Sequence, residues 1–412
     1  MRVDFYCIRT LLWTVLTLFM LSAPRLAKAA EWAAEPSLRT GLEYNDNPQL
    51  TTQPHDSVHG YSISPKLNLS VSSEIWQVAG GMAFARKRYP GNSNLDRDDQ
   101  RYSLATSYRT ERSSWELTGS RSETSTIAEE QTVPNTGLVE VPVIYDSHRI
   151  SPLWTWSMSE LTQLQLAYSV SDFSYVNGES SGLYDYSART ATAQLSSHLD
   201  FKDRFFFIVG YSSFNVPATT FNSQSANYQA GITRGFSRTM KGTLIAGVRK
   251  TSDEQDVTVC TLSFGSLCLQ TERVTQSSDQ TSSVYSGNLE KKYETLQLNL
   301  SASRSYDPSG SGTIVLTDTQ NASLTKRFTS RLRGEISASN YNISPQTVDI
   351  AGVKRHFYSF ETDLFWHWTR ELGVSFHYRY SHVRREAQDQ AAESNAVYLS
   401  IGYQWPKMAF SR

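Results

Sequence analysis

Apolar and polar residues alternate with a period of two along most of this chain. The stretch from His356 to His382 shows the pattern most fully. Tyr358, Phe360, Thr362, Leu364, Trp366 and Trp368 fall on one face, and Ser359, Glu361, Asp363, Phe365 and His367 on the other. Successive side chains of an extended chain point to opposite faces, so this alternation predicts a strand. Thr369, Arg370 and Glu371 interrupt it. The pattern resumes with Leu372, Val374, Phe376, Tyr378 and Tyr380 facing one way, and Ser375, His377, Arg379 and Ser381 the other. A turn at Thr369–Glu371 sets Trp366 opposite Val374 and Leu364 opposite Phe376. The same register sets Glu361 against Arg379 and Asp363 against His377, and opposed charges of this kind help to fix a strand pair.

These strands exceed the roughly five or six residues usual in a soluble sheet. Their apolar faces carry Trp and Tyr at both ends and aliphatic residues nearer the middle. That banding marks a membrane-spanning strand with its rings at the two interfaces, and it leaves the polar face to line a lumen. A sandwich or propeller would use shorter strands and a two-sided core. Comparable runs open near Leu38, Tyr61, Trp76, Tyr102, Trp115, Ile150, Leu164, Ala191, Phe205, Tyr228, Met240, Tyr285, Leu296, Leu332 and Val397, and another closes at Ala322 and Leu324. With the hairpin above, the prediction is an all-β, antiparallel transmembrane barrel of about 18 strands with both termini periplasmic. The fifth, eighth, twelfth and fourteenth runs are weak, and the count falls to 16 without two of them.

The breaks support the count because they alternate in length. Short ones fall at Ser72–Glu74, Thr110–Ser113, Met158–Glu160 and Thr369–Glu371. Long ones fall at Asn45–His59, Pro90–Gln100, Ser122–Asp146, Asn215–Ala226, Ser252–Ser283 and Val383–Glu393. Short periplasmic turns opposite long extracellular loops are the outer-membrane pattern. Ser122–Asp146 and Ser252–Ser283 are long enough to fold into the lumen as constrictions.

Residues 1–29 read as a secretory signal peptide. Arg2 and Arg9 precede an apolar run from Leu11 to Leu21, and Ala27-Lys28-Ala29 suits cleavage. The run is too short for a spanning helix. The barrel then occupies residues 30–412, a single domain in the Gram-negative outer membrane in contact with its lipid. Hydrophobic residues make up only 39% of the chain, which a barrel tolerates because alternate residues face water. The net charge of −1 speaks against a nucleic-acid surface. No plug-sized segment precedes the first run, which speaks against an energised receptor.

Little points to chemistry. His55, Asp56 and Ser57 are adjacent, but adjacency does not supply the geometry of a triad. The eight His residues show no metal-ligand spacing. Pro308–Gly312 lacks the Lys and Ser/Thr of a phosphate loop and reads as a tight turn. The expectation is a non-enzyme with no cofactor and no metal. Cys260 and Cys268, two loop cysteines in an oxidising compartment, predict a disulfide. Alternation nominates Arg39, Glu43, Lys66, Arg189, Arg333, Glu335, Glu361, Asp363, His377 and Arg379 as pore-lining residues, with Phe357 and Phe365 also inward. No ring of one sign stands out among them.

Three stretches resemble the β-barrel porins found beside exopolysaccharide synthesis genes in Gram-negative bacteria. They are GLEYNDNP at Gly41–Pro48, SASRSYDPSGSG at Ser301–Gly312, and GYQWPKMAFSR at Gly402–Arg412. The last departs from barrels that end on an aromatic residue. The resemblance implies a conduit for polysaccharide leaving the cell, with an export partner in the periplasm, and it supplies no catalytic residues. The residues themselves leave open a general or solute-specific diffusion porin, which would pass small polar solutes, and an adhesive barrel whose loops bind outside. A loop folded into the lumen would favour the diffusion porin.

Overall fold

The computed structural model describes residues 30–411 apart from 53–54, 127–141, 201, 265–266, 347–353 and 387–389. The expected signal peptide lies outside these residues. Each alternating run forms one strand: β1 (Glu31–Asn45), β2 (Val58–Ser72), β3 (Trp76–Arg88), β4 (Arg97–Arg109), β5 (Ser113–Ser125), β6 (Ile144–Ser157), β7 (Thr162–Tyr175), β8 (Tyr186–His198) and β9 (Asp203–Val216). Then come β10 (Phe221–Ser237), β11 (Met240–Phe264), β12 (Leu267–Lys292), β13 (Leu296–Pro308), β14 (Ile314–Arg327), β15 (Leu332–Pro345), β16 (Arg355–His367), β17 (Leu372–Arg385), β18 (Gln390–Gln404) and β19 (Met408–Ser411). Every neighbour in the chain pairs antiparallel with the next up to β18. The wall closes where β1 pairs with both β18 and β19. Pro406 cannot donate to the ladder, so it splits the last stave into β18 and β19. The result is a closed barrel of 18 staves.

Closure has a physical cause. In lipid, an unpaired strand edge would leave backbone N–H and C=O groups without partners, and closing the sheet removes the edge. The outward face is the apolar one. Leu244 is 59% exposed and Trp368 56%, and Trp366 stacks on Trp368 with ring centroids 5.9 Å apart. A contiguous exposed apolar belt of this extent fits only a hydrocarbon surround, and the protein is an outer-membrane barrel.

The weak runs proved to be regular strands. Their weakness reflects height. A stave of 13 or 14 residues tilted in a barrel stands roughly 33 Å tall, against an apolar band of about 25 Å. The outward positions above the band are therefore polar. Arg121 of β5 pairs there with Asp146 of β6 at 2.7 Å, and Arg304 of β13 with Asp318 of β14 at 2.7 Å.

One end of the barrel carries the two chain ends and the short turns. Most of those turns are tied by one device. Thr110, Ser159, Thr329 and Thr369 each accept a backbone N–H two or three residues ahead through the side-chain oxygen. Asp200 does the same for Lys202 and Asp203, both at 2.7 Å, and those two bonds hold its carboxyl below the usual carboxylate range. The turn at Thr369–Glu371 gives the expected register: Glu361 faces Arg379, Asp363 faces His377, and Trp366 faces Val374.

The other end carries the longer loops, with two departures from the expected breaks. Asn215–Ala226 is mostly strand, because β9 and β10 pair up to Val216 and Phe221. Ser252–Ser283 is not a loop. It continues β11 and β12, which pair up to Phe264 and Leu267. Pairing of β11 with β10 ends at Glu254 and that of β12 with β13 at Tyr285, so the hairpin projects about ten residues, roughly 33 Å, beyond its neighbours. Ser, Thr, Gln and Asp dominate its base, Leu269 and Val274 lie exposed nearer the tip, and extended pairing satisfies the backbone of such a segment. Cys260 and Cys268 form a disulfide near the tip, with Cα atoms 5.8 Å apart. Replacing both with Ser should leave the melting of the barrel unchanged and speed proteolysis between residues 255 and 275 several-fold. A lowered melting temperature would show that the hairpin braces the wall.

Candidate functional site

Inward side chains on β16, β17, β18 and β1 to β6 carry most of the charge in the lumen. Arg379 Nε donates to Glu361 Oε1 at 2.9 Å, and His377 Nδ1 lies 2.9 Å from Asp363 Oδ1. Beside them, Glu43 accepts from Lys87 Nζ at 3.3 Å and from the Tyr89 hydroxyl at 3.1 Å. Arg97 pairs with Asp99 at 3.4 Å. Lys87 and Arg379 both stand over the Tyr398 ring, 5.6 and 5.8 Å from its centroid. Tyr89 lies just beyond the end of β3. Burial, and then the Glu43 carboxylate, raise its phenol well above the ordinary value, so it remains a donor.

Four inward cations of the same wall have no carboxylate within ion-pair distance among the described residues. Lys66, Ala83, Arg101, Ser122 and Ser147 follow one another across β2 to β6 in a single row of paired residues. Arg39 lies one inward step from this row on β1, and Arg149 one inward step from it on β6. Arg149 Nε donates to Ser171 Oγ at 3.0 Å. Alternate strands lie about 10 Å apart, so the four cations form an arc with only small side chains between them. Below the arc, Glu35, Asn68, Ser70, Gly81, Ser103 and Ser120 edge a recess of about 390 Å³, with Arg149 on its rim.

The facing wall is different in kind. At mid-height from β7 to β14 most inward positions are hydroxyls and amides, among them Gln165, Thr192, Asn227, Asn288, Asn299 and Asn321, interrupted by the inward Phe206, Ile208 and Ile245. Several bond to one another, as Gln194 Nε2 does to Gln165 Oε1 at 3.3 Å and Ser212 to Ser225 at 2.6 Å.

The mouth is narrowed from two sides. The loop between β1 and β2 turns inward over β18 and β17. Leu50, 3% exposed, packs on Phe357, Val383 and Ala392, and Arg385 Nη2 donates to its carbonyl at 2.9 Å. Leu50 holds φ at 50°, a left-handed conformation that costs a non-glycine residue about 1–3 kcal/mol. Polar bonds hold it there. Asn47 Nδ2 donates to the carbonyls of Thr51 and Glu393, both at 2.9 Å, and Asp46 accepts from Asn395 N at 2.6 Å and Asn395 Nδ2 at 2.8 Å. On the other side, the β7–β8 and β13–β14 loops meet over the lumen although β9 to β12 separate them along the wall. Tyr184 N donates to Gly310 O at 2.8 Å. Gly310 lies against Tyr175 and Leu183, so close that a Cβ there would overlap the Tyr175 hydroxyl. Tyr145, Tyr175, Leu183, Tyr186, Phe214, Val216 and Ile314 form one buried cluster beneath.

The sequence-nominated residues sort clearly against this geometry. Arg39, Glu43, Lys66, Arg333, Glu335, Glu361, Asp363, His377 and Arg379 point inward, as do Phe357 and Phe365. Arg189 does not. It shares its face with Ala191 and Leu195 and pairs with Val170 and Ser213, on the lipid side above the apolar band. Residues two apart on a strand share a face, which rules out a lumen position beside an outward Ala191. The expected constrictions also move. Ser252–Ser283 projects outward, most of Ser122–Asp146 lies outside the described residues, and the loops that narrow the mouth are those after β1, β7 and β13. His55, Asp56 and Ser57 sit exposed near the end of the β1–β2 loop. Sequence reasoning missed Lys87, Arg97, Asp99, Arg101, Arg149 and Tyr398. Period-two parity carried a few residues further along β3, β4, β6 and β18 would have found them.

No family model and no curated protein matches this chain. Solved structures overlap it loosely. The ferric-catecholate import receptor Fiu from E. coli K12 superposes with a TM-score of 0.48 at 7% identity, over 90% of this chain and 81% of its own. Pseudomonas aeruginosa OpdK with vanillate gives 0.46 at 11%, over 92% and 99%. Acinetobacter baumannii OccAB3 gives 0.44 at 10%, over 92% and 99%. Likeness at this level carries no argument.

Proposed function

We propose that the barrel is a passive diffusion pore for small polar solutes across the outer membrane, with its short turns in the periplasm and its loops outside. The observation that carries this reading is the mouth, where buried, hydrogen-bonded loops fold inward from two sides. The backbone of an 18-stave barrel is about 35 Å across. Without those loops it would pass a polymer, whereas loops fixed by an apolar cluster and by Asn and Asp bonds suit single small molecules. The export role implied by GLEYNDNP and SASRSYDPSGSG loses support here, because both stretches serve to anchor the narrowing loops.

Planar-bilayer recording of the purified protein tests the reading. Open channels of fixed conductance are expected without any energy source. A barrel that never conducts is an adhesive or structural one. A deletion strain that loses its surface polysaccharide, while keeping normal uptake of small solutes, would restore the export reading.

A further inference from the structure

The two walls of the lumen differ in chemistry, and the difference specifies a solute. One wall offers Arg39, Lys66, Arg101 and Arg149, exposed to the lumen and without carboxylate partners among the described residues. Of the unpaired inward carboxylates of the same strands, Glu35 sits one inward step below the row and lines the recess with Arg149, and Glu116 sits three inward steps below the row, toward the turn end. Lys87, Arg97 and Arg379 are neutralised by Glu43, Asp99 and Glu361 and add little field. In a water-filled channel with low-dielectric walls, unpaired charges of one sign raise the local concentration of the opposite sign. The facing wall, from β7 to β14, presents mainly side-chain amides and hydroxyls that both donate and accept, with Phe206, Ile208 and Ile245 between them. Such groups hold a hydroxylated molecule through several bonds worth only about 0.5–1.5 kcal/mol each, weak enough for release.

We infer that the pore, read as a diffusion channel, prefers anionic solutes rich in hydroxyl groups, of the sugar-acid class. The carboxylate runs along the arc from Lys66 to Arg149, where guanidinium groups can take it in paired bonds. The ring hydroxyls exchange bonds with the opposite wall and with Asn68, Ser103 and Ser120 at the recess below the arc.

Reversal potentials of the full mature protein in planar bilayers test this. Under a KCl gradient, chloride should permeate at least about threefold better than potassium. With potassium glucuronate on one side and potassium cyclohexanecarboxylate on the other, glucuronate should permeate better, although it is the bulkier anion. R101Q/R149Q, checked for folding by heat-modifiable gel mobility, should bring the chloride preference close to one. Channels that open but show no anion preference, or one that R101Q/R149Q leaves intact, overturn the basic arc. Equal permeation of the two organic anions overturns the hydroxyl wall. Absence of any channel overturns the diffusion reading itself, and this inference with it.

Discussion

Replacing Leu50 with Asp should raise the single-channel conductance at least about twofold. Among the described residues of the β1–β2 loop, Leu50 is the one that enters an apolar cluster, and its backbone is strained. Burial of a Leu side chain contributes roughly 2 kcal/mol, which offsets that strain. A carboxylate in its place cannot enter the pocket of Phe357, Val383 and Ala392 without neutralising. The loop would then lose its apolar anchor across β17 and β18, and the polar bonds that remain, among them those of Asn47 and Asp46 and that of Arg385 to the residue-50 carbonyl, would hold it less closely. The barrel wall should not notice. Its stability rests on the ladder, and β1 and β18 pair independently of the loop from Ser37 to Asn45. Wild-type conductance in a folded L50D channel would mean that the loop does not limit the passage. Asn47→Ala should produce a smaller change in the same direction.

The wall of this protein was far more legible than its mouth. A strand repeats one rule every two residues, so its face, register and partner follow from local pattern. The hairpin from β16 to β17 came out in the expected register for that reason. Parity fails only when it is misapplied, as with Arg189, or stopped short, as before Lys87. Loops obey no period. Nothing in the chain around Leu50 says that it docks on Phe357, three hundred residues away, because that contact exists only once the barrel has closed. The length of Ser252–Ser283 gave no means of telling a folded-in loop from a projecting hairpin, since a polar segment with hydroxyl-rich faces satisfies either. The resemblance stretches hinted at the mouth without explaining it. Asn45, Asp46 and Asn47 in one, and Gly310 in the other, are there to seat loops.

Glu43→Gln should lower the stability of the folded barrel by about 2–3 kcal/mol, somewhat less than the roughly 3–5 kcal/mol that breaking a fully buried pair costs. The Glu43 side chain is 9% exposed and that of Lys87 22%, so the pair is partly screened by lumen water. Glu43 is the acceptor for both Lys87 and the Tyr89 hydroxyl. A neutral amide leaves the Lys87 ammonium close to Arg97 with only the distant Asp99 in compensation, and leaves Tyr89 a weaker acceptor. The effect should be local in origin but global in readout, because β1 is the strand that closes the barrel on β18 and β2. By contrast Glu31→Gln, which breaks an open pair with Lys407 at 3.1 Å, should change nothing measurable. The heat-unfolding midpoint in detergent, followed by far-ultraviolet circular dichroism, separates the two. The decisive comparison is the double variant E43Q/K87M. If the cost arises from an uncompensated buried charge, removing that charge restores most of the lost stability. A double variant as unstable as E43Q alone would assign the loss to the Tyr89 bond and to packing, and would remove the Glu43–Lys87 pair from the account of how the lumen is held.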